Sequence, residues 1–224
     1  FVLHARSCLQ KKQEQKDVLT WAARHGYSGA AMQMRIIDFQ PLTWAEFTVN
    51  QKNRCYLCKK HIYRLFLETL RKEGISTLLD GTNIDDLRQG EAGRPGLRAL
   101  TELGIRTPLA DCELNKQEIR MLSRAMTLDT ADCPSSSCLA TRIPHGTTIT
   151  AQRLQKIADL EQALEKNGLI GCRVRLDGNS EQSVVVQVQQ SDLQRMRYDA
   201  MRTGIVNRLK KKGVQKIYLD AEGR

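Results

Sequence analysis

Residues 59–82 read KKHIYRLFLETLRKEGISTLLDGT, and the change of period inside this stretch decides the fold class. Ile62, Leu65, Phe66, Leu67 and Leu70 recur at helical spacing over Lys59–Glu73, and Gly74 serves as the C-cap. Ser76–Leu79 is then a short apolar strand that runs directly into Asp80-Gly81-Thr82. Upstream, Val2–Ala5 is strand-like. Residues 9–25 form a charged helix with Val18, Leu19, Ala22 and Ala23 at helical spacing, and Met32–Phe39 alternates as a second strand closed by Pro41. Strand, helix, strand, helix, strand at these lengths predicts an α/β fold, a doubly wound parallel sheet. Ligands bind such sheets outside the carboxyl ends of the strands, which is where Asp80-Gly81-Thr82 falls.

Downstream, Gly90, Gly93, Arg94-Pro95-Gly96 and Gly104 mark a loop-rich stretch with one short helix. Asn115 with Glu118 three residues on is an N-cap and its reciprocal partner, opening a helix to about Met126. Residues 129–148 are irregular, and a loop of roughly 20 residues inside a compact domain is usually functional or disordered. Two cysteines, two prolines and an arginine speak for function. Beyond it, Thr150 caps a helix to about Asn167, and Cys172–Leu176 with Ser183–Val188 form a hairpin around Asp177-Gly178-Asn179. Ser191 with Gln194 opens a helix to Lys212, and Ile217–Leu219 is a last strand. This αββαβ pattern predicts a second, smaller α+β domain, with the boundary near residue 145.

Composition narrows the class. The 224 residues are 41% hydrophobic and 27% charged, values of a globular chain. No apolar run approaches the roughly 18 residues of a membrane span, and no signal peptide is visible, so a soluble cytoplasmic protein is expected. The chain opens without Met and stops at Gly223-Arg224, so both ends are expected to continue in a longer protein. The net charge is +10, and residues 151–224 hold 14 Lys and Arg against 9 Asp and Glu, half of the excess. A dispersed charge with 5% aromatics suits small phosphate- or carboxylate-bearing ligands better than a nucleic acid. Seven cysteines, an odd number, fit reduced thiols better than a disulfide scaffold.

Arg54-Cys55-Tyr56-Leu57-Cys58-Lys59-Lys60 places two sulfurs on one face at the start of a helix. The flanking cations and the helix N-terminus favour thiolate, the form that ligates metal or attacks sulfur. Cys133-Pro-Ser-Ser-Ser-Cys138 lies about 80 residues further on, followed by Arg142. Three thiolates would leave one iron of a 4Fe-4S cluster open to a substrate atom. Four, with Cys133, would describe a closed structural zinc, and His61 and His145 are further candidate ligands. Arg173 and Arg175 share one strand face at period two, a geometry that grips phosphate or carboxylate. Cys8, Cys112 and Cys172 stand alone and read as small hydrophobes.

Taken in order, Arg54-Cys-Tyr-Leu-Cys-Lys-Lys, Asp80-Gly-Thr-Asn-x-Asp-Asp, Arg94-Pro-Gly-Leu-Arg and Cys138-Leu-Ala-Thr-Arg-Ile-Pro-His-Gly-Thr carry a family resemblance. They resemble the LarE-type ATP-dependent sulfur transferases of the PP-loop ATP pyrophosphatase superfamily, in the form with three cysteines. The likeness runs to about residue 220 and takes in Arg173-Val-Arg and the closing Tyr-Leu-Asp. It implies a PP-loop domain over residues 1–145 and a small α+β domain over 146–224. It also implies adenylation of a carboxylate of a pyridinium biscarboxylate mononucleotide and its conversion to a thiocarboxylate, a step in making the nickel-pincer nucleotide of lactate racemase.

Residue by residue, the resemblance puts the cluster on Cys55, Cys58 and Cys138, and the transfer step at Cys138 and Arg142. ATP with magnesium falls beside Asp80, Gly81, Thr82 and Arg94, and the substrate on Arg173 and Arg175. Homo-trimers or hexamers are implied. The family's Ser-Gly-Gly-x-Asp-Ser loop is absent here and is expected upstream of Phe1, and His145 stands where many members have Tyr. A PP-loop tRNA thiolase and a zinc-stapled binding module are the rival readings.

Overall fold

The computed structural model describes residues 1–27, 33–178, 180–196 and 198–223. The chain divides into two compact units, the first made of Phe1–Arg6, Ala22–Pro41 and Gln51–Pro134, the second of Ser7–Trp21, Leu42–Asn50 and Ser135–Arg224.

In the first unit β1 (Val2–Arg6) and β2 (Met34–Asp38) pair in parallel, with Val2 opposite Met34 and Arg6 opposite Asp38. Parallel neighbours need a crossover, and the connection contains the Lys12–Arg24 helix. Met32, where the second strand was expected to begin, lies outside the described residues. Leu3, Ala5 and Ile37 pack on a core of Tyr63, Phe66, Leu97, Leu100 and Ile105, joined by Ile62 and Leu67. Ile62, Tyr63, Phe66 and Leu67 come from the Arg54–Lys72 helix, which starts early enough to take in both cysteines of Cys55-x-x-Cys58.

The third expected strand, Ser76–Leu79, contracts to one parallel bridge between Leu79 and Arg106. Leu78 packs on the core but Leu79 is 59% exposed, so only one side of the run gains apolar cover. The charged helix after β1 also buries less than its spacing suggests, since Leu19 is exposed and only Ala22 is fully covered. The Lys116–Ala125 helix has the expected capping box from Asn115 and Glu118, yet none of its residues is buried.

The second unit is built on the Ala151–Glu165 helix, capped by Thr150, whose Leu154, Ile157, Leu160 and Leu164 are fully buried. A three-stranded mixed sheet orders β3 (Arg173–Asp177), β4 (Ser180–Gln187) and β5 (Lys216–Leu219), the first pair antiparallel and the second parallel. Asn179, part of the expected turn, lies outside the described residues. Val174, Leu176, Val184 and Val186 are buried, alternating along their strands as period two requires.

The single helix expected from Ser191 to Lys212 is two, Gln190–Arg195 and Asp199–Lys211. Tyr198 adopts extended backbone (φ −77°, ψ 125°) at the second N-cap, so one axis cannot run through. The chain is thus mixed α/β, with a small parallel sheet and a separate mixed one. No helix among the described residues is long and apolar enough to cross a membrane.

Candidate functional site

The first unit gathers its candidates around the N-terminal half of the Arg54–Lys72 helix. Cys55 and Cys58, three residues apart, share one helix face and are half-buried. Between them Tyr56 donates its hydroxyl to Glu102 at 2.7 Å, with Lys60 and Arg98 set 5.1 and 4.9 Å from its ring centre. Lys60, Tyr56 and Arg98 hold the exposed Glu102 carboxyl down to about 2. Gly96 of Arg94-Pro-Gly lies on the same turn. A Cβ there would meet Lys59 Cδ at 3.0 Å and the Cys55 carbonyl oxygen at 3.7 Å, so glycine lets this loop rest on the Cys55 turn.

Asp80 is held from three sides. Its carboxylate accepts from Thr82 N at 2.9 Å, from the Thr82 hydroxyl and from the Tyr63 hydroxyl, and Lys59 Nζ stands 3.8 Å away. Burial alone would raise its pKa, but the Thr82 and Tyr63 hydrogen bonds and the Lys59 charge together bring it below the ordinary value. Tyr63 is driven well above its usual range by burial and by Asp80. Lys59, whose Nζ lies 5.4 Å from the Tyr63 ring centre, is lowered by burial and, despite Asp80, by the nearby Arg94 charge. Arg94 pairs with Asp86 at 2.6 Å, and Asp86 completes a capping box with Asn83. Gly81 opens onto free space. Asp80, Gly81, Thr82 and Arg94 therefore share one edge, and Lys59 and Tyr63, read from the sequence only as a flanking cation and a helix residue, belong with them.

In the second unit Cys138 is half-buried at the N-cap of a short 3-10 turn, Leu139–Arg142. Arg142, expected beside a developing charge, is 3% exposed and its guanidinium is engaged within the protein. Nε donates to Glu161 Oε1 at 2.9 Å, and Nη1 to the Ser137 carbonyl at 2.7 Å, the Cys138 carbonyl at 3.1 Å and the Thr141 hydroxyl at 3.0 Å. Arg175 donates to the Thr141 carbonyl at 2.8 Å and to Gln187 Oε1 at 2.8 Å, so it stands against the Cys138 turn. Burial, then the Arg142 charge, lowers the Arg175 pKa. Arg173 is two residues along on the same strand face, opposite buried Val174.

Within residues 129–148 the part from Cys138 onward is packed, whereas 132–136 are exposed. Leu139, Ala140, Ile143 and Thr147 are buried, and Asn50 spans the segment, donating to the Pro144 and Thr147 carbonyls, each at 2.8 Å. Asn50 takes φ 62°, a left-handed conformation that asparagine tolerates, and His145 Nδ1 lies 3.3 Å from its carbonyl oxygen. An Asn that clamps a loop almost 100 residues away carries no local sequence signal.

All seven cysteines are thiols. Of the three taken as small hydrophobes only Cys172 is buried, while Cys8 and Cys112 are exposed, as is Cys133. Among the described residues no group of three or more His, Cys, Asp or Glu side chains is gathered to hold a metal ion. Cys55 and Cys58 belong to the first unit and Cys138 to the second. As donors, half-buried thiols suit a cluster held by thiolates.

No protein-family model matches the chain. It is 33% identical over 178 residues to an uncharacterized protein of Synechocystis sp., covering 79% of this chain and 64% of that one. It is 30% identical over 173 residues to an uncharacterized protein of Methanocaldococcus jannaschii, covering 77% and 64%. It is also 28% identical over 147 residues to the pyridinium-3,5-bisthiocarboxylic acid mononucleotide synthase of Lactiplantibacillus plantarum, covering 66% and 51%. The matched region thus spans between half and two thirds of the length of these relatives.

Proposed function

We propose that the chain is part of an ATP-dependent sulfur transferase of the LarE type that turns a substrate carboxylate into a thiocarboxylate on the way to the nickel-pincer nucleotide. The likeness to the pyridinium-3,5-bisthiocarboxylic acid mononucleotide synthase carries this reading. The geometry supports it at two places: a half-buried Cys138 on a turn braced by Arg142 and touched by Arg175, and a hydrogen-bonding edge at Asp80-Gly81-Thr82. The parallel β1–β2 pair and the Leu79–Arg106 bridge support placing that edge in a doubly wound PP-loop sheet.

A carboxylate is a poor electrophile. Transfer of AMP from ATP makes one carboxylate oxygen part of a leaving group and releases pyrophosphate. Attack of sulfide on the acyl carbon then expels AMP and leaves the thiocarboxylate. On this reading Thr82, Gly81 and Arg94 border the ATP with its magnesium, while Asp80 shapes the turn by binding Thr82 and Tyr63. Arg173 and Arg175 bind the phosphate and remaining carboxylate of the pyridinium biscarboxylate mononucleotide. Arg142, spent on the Cys138 turn, positions that turn and does not reach the substrate. Cys55, Cys58 and Cys138 are the thiolates for a 4Fe-4S cluster, which when bound would carry the sulfide to be transferred. The protein acts in the cytoplasm as a homo-oligomer.

Anaerobic purification followed by visible spectroscopy and iron, sulfide and zinc analysis tests the reading. A brown chain with matching iron and acid-labile sulfide supports it. A colourless chain with stoichiometric zinc would replace it with the binding module.

A further inference from the structure

We propose that Glu161 is the positioning residue of the Cys138 turn. Glu161 projects from the buried side of the Ala151–Glu165 helix, among Ile157, Leu160 and Leu164, and is 0% exposed. A carboxylate at such a place is costly to desolvate, and an apolar side chain of similar volume would serve packing as well or better. Stability of the helix does not call for it. Geometry does.

Oε1 accepts from Val174 N at 2.9 Å, on the strand that carries Arg173 and Arg175, and from Arg142 Nε at 2.9 Å. Oε2 pairs with Lys11 Nζ at 2.6 Å, and Lys11 also reaches Glu165 at 2.8 Å. The guanidinium is planar, so fixing Nε on Glu161 fixes where Nη1 points. It points at the Ser137 and Cys138 carbonyls and the Thr141 hydroxyl. Leu139 N, donating to the Leu9 carbonyl at 2.8 Å, pins the other side of the turn. One buried carboxylate therefore ties the arginine-bearing strand to the backbone on which Cys138 sits. Its value for catalysis rests on the sulfur-handling role proposed for Cys138, whereas its effect on the turn does not.

The test is thiol alkylation of the reduced full chain by iodoacetamide at pH 8, without ATP, substrate or iron, each cysteine followed by peptide mass spectrometry. Glu161→Gln keeps shape and removes charge. With the turn released to open locally, Cys138 is expected to label roughly tenfold faster, while Cys55 and Cys58 keep their wild-type rates. Arg142→Lys preserves the buried charge but not the fork onto the loop, and is expected to release Cys138 in the same way. That variant decides the matter if Glu161→Gln does not fold. An unchanged Cys138 rate in a folded variant overturns the proposal. So does a parallel rise at Cys172 in Arg142→Lys, where the Glu161 charge beside that thiol is kept and only a loosened core would expose it. Because the readout needs no iron, a chain that proves not to hold a cluster leaves this result standing.

Discussion

Asp80 and Cys172 are both pushed up by burial yet end on opposite sides of their ordinary values. Asp80 has Thr82, Tyr63 and Lys59 to compensate its desolvation, so its folded pKa lies below the ordinary 3.8. A carboxylate depressed on folding stabilises fully above its unfolded value and loses that contribution as pH falls through the folded one. Asp80→Asn is therefore expected to cost about 1–3 kcal/mol at pH 7, and urea titrations of variant and wild type should converge in strong acid. For Cys172 the compensating charges of Lys11 and Arg142 are outweighed. Burial, and then the charges of Glu161 and Glu165, push its thiol up to about 12. A raised acid contributes below its ordinary 9.0 and loses that contribution as pH climbs toward about 12. Stability is expected to decline across that alkaline window. Iodoacetamide at pH 8 should modify exposed Cys112 and Cys133 and spare Cys172. Of these environments the sequence showed Asp80-Gly-Thr as an edge motif, but not Tyr63 or Lys59 as its companions, because they meet it only through packing.

At the scale of elements, the caps were legible and the break was not. Asn115 with Glu118 and Thr150 with Arg153 N close helix starts by short-range hydrogen bonds that a few residues specify. The Lys116–Ala125 helix buries nothing, so it depends on such local terms more than its neighbours do. Asn115→Ala is expected to cost about 1 kcal/mol and to reduce helical circular dichroism. The Ala151–Glu165 helix is the opposite case. Ile157→Ala should cost about 2–5 kcal/mol in a denaturant melt, because a fully buried side chain leaves a cavity. The division of the last helical stretch around Met196 and Tyr198 follows from the second unit's own packing, where Met196 is buried and Tyr198 exposed. The third parallel strand contracted for a related reason: parallel ladders are ordinarily covered on both faces, and here Leu79 is left exposed.

For the whole molecule, the proposed cluster sets the sharpest expectation. Cys55→Ala, Cys58→Ala and Cys138→Ala should each abolish retention of iron and sulfide in anaerobic preparations, whereas Cys112→Ala and Cys133→Ala should keep both. Loss of iron in Cys133→Ala would show that three thiolates are the wrong set. Periodicity, caps and ordered motifs already determined that the chain is mixed α/β, where the capped helices at Lys116 and Ala151 start, and which thiols and arginines are candidates, since those signals are carried by near neighbours along the chain. The tertiary structure alone decided that Arg142 is clamped on Glu161, that Asn50 holds the Pro144–Thr147 segment and that Lys59 and Tyr63 enclose Asp80. Each of these depends on a polar group being removed from water and given a partner far away in sequence, and no local pattern encodes that pairing.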